Sequence, residues 1–257
     1  MRRVIFNQKG GVGKSTITCN LAAISASQGK KTLVVDLDIQ GNSTHYLLGR
    51  NFTDQDKTIA HFFKESLSRN PFGQGLDIDN IIHQTPFENL DILPSHPELE
   101  VLQSRLESRH KIYKFRELLD QLKKYECIYI DTPPILNFYS LSALIAADHC
   151  LIPFDCDAFS REALYSLLSI IGEVKADHND KLNIEGIIVN QFQKQAKLPR
   201  QLVEDLISEG HPVLENHISA SVKVRESHSV SKPLIHYVPH HKLSDEFVAL
   251  HDEIHSN

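Results

Sequence analysis

The sequence predicts an α/β fold: one domain over residues 1–257, with a mostly parallel, twisted sheet and helices on both faces. Three observations predict it. Short apolar runs alternate with segments of helical periodicity along the 257 residues. The runs are apolar at successive positions, which suits strands buried on both faces. Glycines or acids follow several of them, at the carboxyl ends where such sheets bind ligands.

The elements follow in order. "RVIFN" (3–7) is a short strand running into a glycine loop. "STITCNLAAISASQG" places Ile17, Leu21 and Ile24 at helical spacing, and Gly29 suits the helix end. "KTLVVDLD" (31–38) is a buried strand ending in acids. "TIAHFFKESL" puts Ile59, Phe62, Phe63 and Leu67 on one helical face, and residues 68–90 are loop-like. "LDIL" (90–93) is a strand, followed by helical patterns over 97–124. "YECIYIDTPP" ends a strand at Asp131, and "HCLIPF" (149–154) is another. Ser160 caps a helix that turns Leu164, Leu167, Leu168 and Ile171 inward. "NIEGIIVNQF" is a strand, a helix spans 198–208, and "PVLE" is a short strand. "LSDEFVALHDEI" closes the chain as a helix. No linker, repeat or low-complexity segment divides it.

Composition excludes some functions. A formal net charge of -6 rules out bulk basic nucleic-acid binding, so any such contact needs a local patch. Cys19, Cys127, Cys150 and Cys156 form no C-x-x-C pair, which argues against zinc or a redox dithiol and for buried free thiols in a reducing compartment. "MRR" leads directly into a strand rather than a signal peptide, and no apolar run approaches membrane-spanning length. The pair His240 and His241 lacks the i,i+4 spacing of a helical metal site.

The chemistry lies in "NQKGGVGKST" (7–16). The pattern G-x-x-x-x-G-K-[ST] fits except at its first position, which is Gln8, and a second lysine, Lys9, stands beside it. Between a strand and a helix, Gly10, Gly11, Val12 and Gly13 let backbone N–H groups wrap a phosphate. Lys14 adds a point charge, Ser15 offers Mg²⁺ a hydroxyl, and Thr16 reaches the α-phosphate. Outside this context the glycines would be a plain turn. Asp131 ends an apolar strand, where an acid holds Mg²⁺ through water. Asp38 orients the attacking water, with a second possible role on the metal through water. Asp36 is a metal-side acid or a structural partner of the loop, and the latter is favoured.

"KGGVGKST", "VVDLDIQGN" and "YIDTPP" resemble the deviant Walker A, switch I and Walker B motifs of the ParA/MinD ATPases, over residues 2 to about 254. The nearer branch is the ParA/Soj-like partition ATPases, in the short form without an N-terminal helix-turn-helix. The resemblance implies a P-loop NTPase fold of deviant Walker A type. It implies ATP and Mg²⁺ as cofactors, and slow hydrolysis without partner and DNA. It also accounts for the failed position: the family's loop gains a signature lysine, here Lys9, which reaches the partner subunit's nucleotide in an ATP-sandwich homodimer. Asn190 resembles the base-side residue, and no N-K-x-D guanine pattern follows it. Two departures stand out. Ile39 replaces the proline of D-x-D-P-Q-G-N. "ISASVKVRE" (218–226) stands where relatives read I-P-R-N-V-R-L-S-E, so Ser219 and Ser221 take the base-side places and Ala220 that of a DNA-linked arginine.

The resemblance further implies non-specific DNA binding and a ParB-like or cargo-adaptor activator. Its location would be cytoplasmic and nucleoid-associated. The candidate DNA residues are Lys194, Lys197 and Arg200 in "FQKQAKLPR", joined by Lys223 and Arg225; such a small cluster is otherwise a solvated face. The alternative is a MinD-like membrane-surface positioning ATPase, which needs a basic amphipathic C-terminal helix. Here the last helix is acidic opposite Phe247, Leu250 and Ile254. A nitrogenase-reductase-like electron carrier would need cluster cysteines at a dimer face, whereas Cys127 lies within a strand.

Overall fold

The structure is a computed structural model, and it describes all residues other than 50, 51, 54, 69–76, 157–159, 194–196 and 257, and the side chain of 160. Its strands are β1 (Arg2–Ile5), β2 (Thr32–Asp36), β3 (His83–Gln84), β4 (Leu90–Leu93), β5 (Cys127–Asp131), β6 (His149–Asp155) and β7 (Asn183–Asn190). They form one sheet in the order β3-β4-β2-β5-β1-β6-β7. Every pairing is parallel except the edge pair β3–β4.

Successive strand residues serve opposite faces. Leu33 and Val35 enter one core with Val4, Ile128 and Ile130, whereas Val34 enters the other with Ile5 and Tyr129. On the first face lie α3 (Ile59–Ser66), α4 (Glu98–Ser108), α5 (Lys114–Leu119), α6 (Phe138–Ala146), α7 (Ser160–Asp177) and Leu206 of α8 (Lys197–Ser208). On the second lie α1 (Lys14–Ser27), α2 (Asn42–Leu48), α10 (Leu234–Tyr237) and α11 (Lys242–Ser256), with α9 (Val222–Ser229) beside them. The layers are those the apolar runs imply.

Local rules fix the element ends. Gly29, at φ 86, follows α1 and closes it with Gly29 N to Ala26 O and Lys30 N to Ser25 O. The helical patterns over 97–124 are the two helices α4 and α5. His110 turns to φ 52 after α4, and Lys111 N returns to Leu106 O. "PVLE" is not a strand: Val213 makes a single bridge to Ile187, since Pro212 has no N–H to extend a ladder. Within 68–90, residues Ile78–Ile81 form a 3-10 turn and β3 pairs with β4. The expected Ser160 cap lies outside the described side chains. Cys19, Cys127 and Cys150 are buried, while Cys156 is half-buried.

Candidate active site

The site grows from the loop between β1 and α1. Asn7 opens it: its Oδ1 accepts from Lys9 N at 2.9 Å, and its Nδ2 donates to Pro153 O at 2.7 Å. Gly11 and Gly13 take φ 77 and 89, a region costly for other residues. A Cβ on Gly13 would overlap the Asn190 amide. Gly13 is also the N-cap of α1, where no side chain caps the helix and no acid occupies its first turn. The first N–H groups therefore stay free of side-chain caps and suit an anion.

Charge converges on this loop. Lys14 is 6% exposed, and its Nζ donates to Lys9 O at 3.0 Å. Burial lowers its pKa, while Asp131 and Asp38 pull it back up. Parallel register places Asp36 beside Asp131. Asp36 is fully buried and tied into the next turn: Oδ1 accepts from Asp38 N at 3.1 Å, and Oδ2 from Thr44 N and Oγ1 at 2.8 Å each. Burial and Asp131 raise its pKa. Asp38 accepts from Gln40 N at 3.1 Å, and burial raises its pKa against the pull of that bond and of Lys14.

Asp131 accepts from Ser43 Oγ at 2.7 Å through Oδ2, whereas Oδ1 is buried with no hydrogen-bond partner among the described residues. Burial raises its pKa, partly offset by the Ser15 and Ser43 hydroxyls. A buried, orphaned carboxylate oxygen beside a serine hydroxyl and Asp38 fits a hard divalent cation held through oxygen.

Two clefts flank the loop and share Gly11, Gly13 and Thr16. One, of about 330 Å³, is lined by Lys14, Ser15, Asp38 and Asn42. The other, of about 540 Å³, is lined by Asn190, Ser219, Ser221, Val222, Arg225 and Phe247. Asn190 Nδ2 donates to Val12 O at 2.8 Å. Ser219 gives its N–H and hydroxyl to Glu246 (2.8 and 2.7 Å), and Ser221 caps α9 by accepting from Lys223 N at 3.2 Å.

The structure thus gathers Lys9, the glycine loop, Lys14, Ser15, Thr16, Asp38, Asp131, Asn190, Ser219 and Ser221. Lys9 Nζ lies 3.2 Å from Asp155 Oδ2 at the end of β6. The described basic residues lie on two helices, α8 and α9. Lys197 and Arg200 are exposed in the first turns of α8, and Lys194 lies outside the described residues. Lys223 Nζ is 2.6 Å from Glu226, and Arg225 lines the larger cleft. Phe192 N donates to Ile218 O at 2.9 Å, which pairs the chain just ahead of each basic segment.

Sequence reasoning missed Asn7, Ser43, Asp155, Glu246, Gln191, whose Nε2 donates to Gly11 O at 3.1 Å, and His228, which lines the smaller cleft. Asn7 had a local signal, an Asx residue two before a turn amide. Ser43 sits at the start of the helix after the Asp38 turn. The others reach the site from distant segments.

A glycine loop opening a helix after the first strand, a buried lysine and acids at two neighbouring strand ends define a P-loop nucleotide-binding protein. The family model described as an AAA domain matches residues 3–184. The chain is 34% identical to the chromosome partitioning protein ParA of Myxococcus xanthus, covering 97% of this chain and 86% of that one. It is 31% identical to the sporulation initiation inhibitor protein Soj of Bacillus subtilis, covering 98% and 97%. Among solved structures, cobyrinic acid a,c-diamide synthase from Mycobacterium smegmatis, with a bound ATP analogue and magnesium, shares the fold at a TM-score of 0.83 and 22% identity, over 98% of this chain and 92% of that one. The chain belongs to the ParA/Soj-like branch of the ParA/MinD ATPase family.

Proposed function

We propose that residues 1–257 act as one ParA-type ATPase domain, binding ATP with Mg²⁺ and forming a homodimer around it. In that state it binds DNA non-specifically, and a ParB-like protein or cargo adaptor triggers hydrolysis and release. Without partner and DNA, hydrolysis is slow. The protein works in the cytoplasm, on the nucleoid. The observation that carries this reading is the convergence of Lys14, Asp38 and Asp131 on one uncapped glycine loop.

Each residue has a role in this scheme. The loop amides and Lys14 hold the phosphates, and Asn190, Ser219 and Ser221 border the base. Asp38 orients the water. Ser15 and Asp131, with Asp38, would hold Mg²⁺, which supplies a compact positive charge beside the phosphates. Lys9 reaches the facing subunit.

DNA is favoured over a membrane surface because α11 has its apolar face committed: Phe247, Leu250 and Ile254 are 1%, 0% and 2% exposed. Among the described residues, no helix is long and apolar enough to cross a membrane. Sedimentation with DNA or with anionic liposomes, each with ATP, separates the readings. DNA alone should carry the protein down, and Lys197→Glu with Arg200→Glu should weaken that strongly. The salt dependence should flatten by about one log–log unit per lost phosphate contact. Sedimentation with liposomes instead would favour the membrane reading.

A further inference from the structure

We infer that His228 is a nucleotide-positioning residue: its imidazole fixes the Thr16 hydroxyl of the phosphate loop and forms one wall of the phosphate-side cleft. The inference rests on the nucleotide reading of that cleft proposed above.

Three observations bring His228 there. It stands on α9, 212 positions from Thr16, yet its Nε2 is 3.0 Å from Thr16 Oγ1. It lines the same cleft as Gly13, Lys14, Ser15 and Asp38. Its ring stacks on Tyr46, with centroids 3.8 Å apart and planes at 14°. Tyr46 belongs to α2, the helix that begins after the Asp38 turn, and is itself buried. The Tyr46 hydroxyl is 2.9 Å from Ser227 Oγ and accepts from Asn20 Nδ2 at 3.4 Å.

The imidazole is therefore held on its face by an anchored aromatic and at its edge by the loop threonine. A side chain fixed in this way loses little freedom when a ligand arrives. Burial disfavours the charged ring, and a neutral imidazole has one donor and one acceptor nitrogen. With the proton on Nε2, the ring donates to Thr16 Oγ1. The threonine proton is then free to point at a phosphate oxygen. His228 so converts a rotating hydroxyl into an aimed donor, and links α1, α2 and α9 around the nucleotide.

Two substitutions separate this role from packing. His228→Phe keeps the stack on Tyr46 but has no ring nitrogen. His228→Gln carries an amide N–H that reaches toward the Nε2 position. Affinities for ATP and ADP, with kcat and KM, are measured for both variants, for Thr16→Val, and for Thr16→Val with His228→Phe. His228→Phe should weaken ATP and ADP alike by about 3- to 10-fold, the worth of one hydrogen bond. KM should rise while kcat stays within about twofold, because the contact is made equally in ground and transition states. His228→Gln should recover most of the loss, and His228→Phe should cost nothing further once Thr16 is valine. Unchanged affinities in His228→Phe, or a full additional loss in the Thr16→Val background, would overturn the inference. Lys14→Ala reports on the underlying reading: if it still binds ATP as the wild type does, the cleft is not the phosphate site and the nucleotide reading itself fails.

Discussion

Three buried carboxylates stand within one strand-end layer, and their partners divide the labour. Asp36 is consumed by Asp38 N and by both donors of Thr44, so it shapes the turn. Asp131 keeps one oxygen without a partner among the described residues. Asp38 accepts one bond from Gln40 N and lines the phosphate-side cleft. Only a residue with spare acceptor capacity facing the cleft can orient water, and Asp38 is so placed. Asp38→Asn keeps an acceptor for Gln40 N while removing the charge, so the turn should survive. Turnover should fall by about 10²-fold or more, the usual weight of a positioned acid or base. On the proposed reading ATP affinity should hold, because the loop and Lys14 would grip the phosphates. Affinity by titration calorimetry and turnover by phosphate release are read on the same sample, with Asp38→Ala alongside. Turnover at the wild-type rate in both variants would remove Asp38 from the mechanism.

At the scale of elements, legibility tracked burial geometry. Strands β1, β2, β5, β6 and β7 were plain because burial on both faces demands unbroken apolar runs. Helix α6 escaped for the same reason: Phe138–Ala146 is buried nearly all round, so no polar face marks a helical period. Helices α9 and α10 are short and polar or Pro-led, and their places depend on contacts with α1 and α2. The glycine loop, Asp38 and Asp131 were legible because their chemistry is local in sequence. His228 was not, since its meaning lies in a threonine at the other end of the chain. Helix α11 hides another such element-scale property. His251 is fully buried, its Nε2 2.9 Å from Ser25 Oγ and its ring stacked on His255 at 4.1 Å. Burial first, then His255 and Lys30, lower its pKa from 6.5 to about 4, against the opposing pull of Asp252. The folded state thus binds fewer protons than the unfolded one. The sign follows: this stability is fully present above pH about 6.5 and is lost as pH falls toward about 4. The loss attributable to the site is up to ~3 kcal/mol. Urea midpoints at pH 7 and pH 5 should diverge less in His251→Asn than in the wild type. Equal divergence would assign the acid sensitivity to other groups, such as His255 beside Arg3.

The whole molecule presents its phosphate loop and Lys9 at the rim of the sheet, and the proposed dimer gives that rim its purpose. Gly10 and Gly11 are exposed, and Lys9 reaches Asp155 rather than folding back over its own loop. Lys14 is different: it is buried, and its ammonium sits on the loop carbonyl of Lys9. One lysine is therefore built into its own site, and the other stands at the edge. Two triphosphates facing each other would repel strongly unless cations lay between them. On this reading Lys14→Ala loses ATP binding, whereas Lys9→Ala binds ATP but stays monomeric and hydrolyses little. Mixing Lys9→Ala with Asp38→Asn makes the sharper test. In the mixed dimer, one site combines the intact Asp38 of the first chain with the incoming Lys9 of the second. The other site has neither. Activity should return on mixing, although each variant alone is silent, and light scattering should show dimers only where a Lys9 is present. A lysine acting within its own chain predicts the opposite, because no chain in the mixture carries both residues. Silence after mixing, with mixed dimers demonstrably formed, would therefore place Lys9 in its own subunit's site; wild-type dimerisation and turnover by Lys9→Ala alone would reduce it to a solvated loop charge.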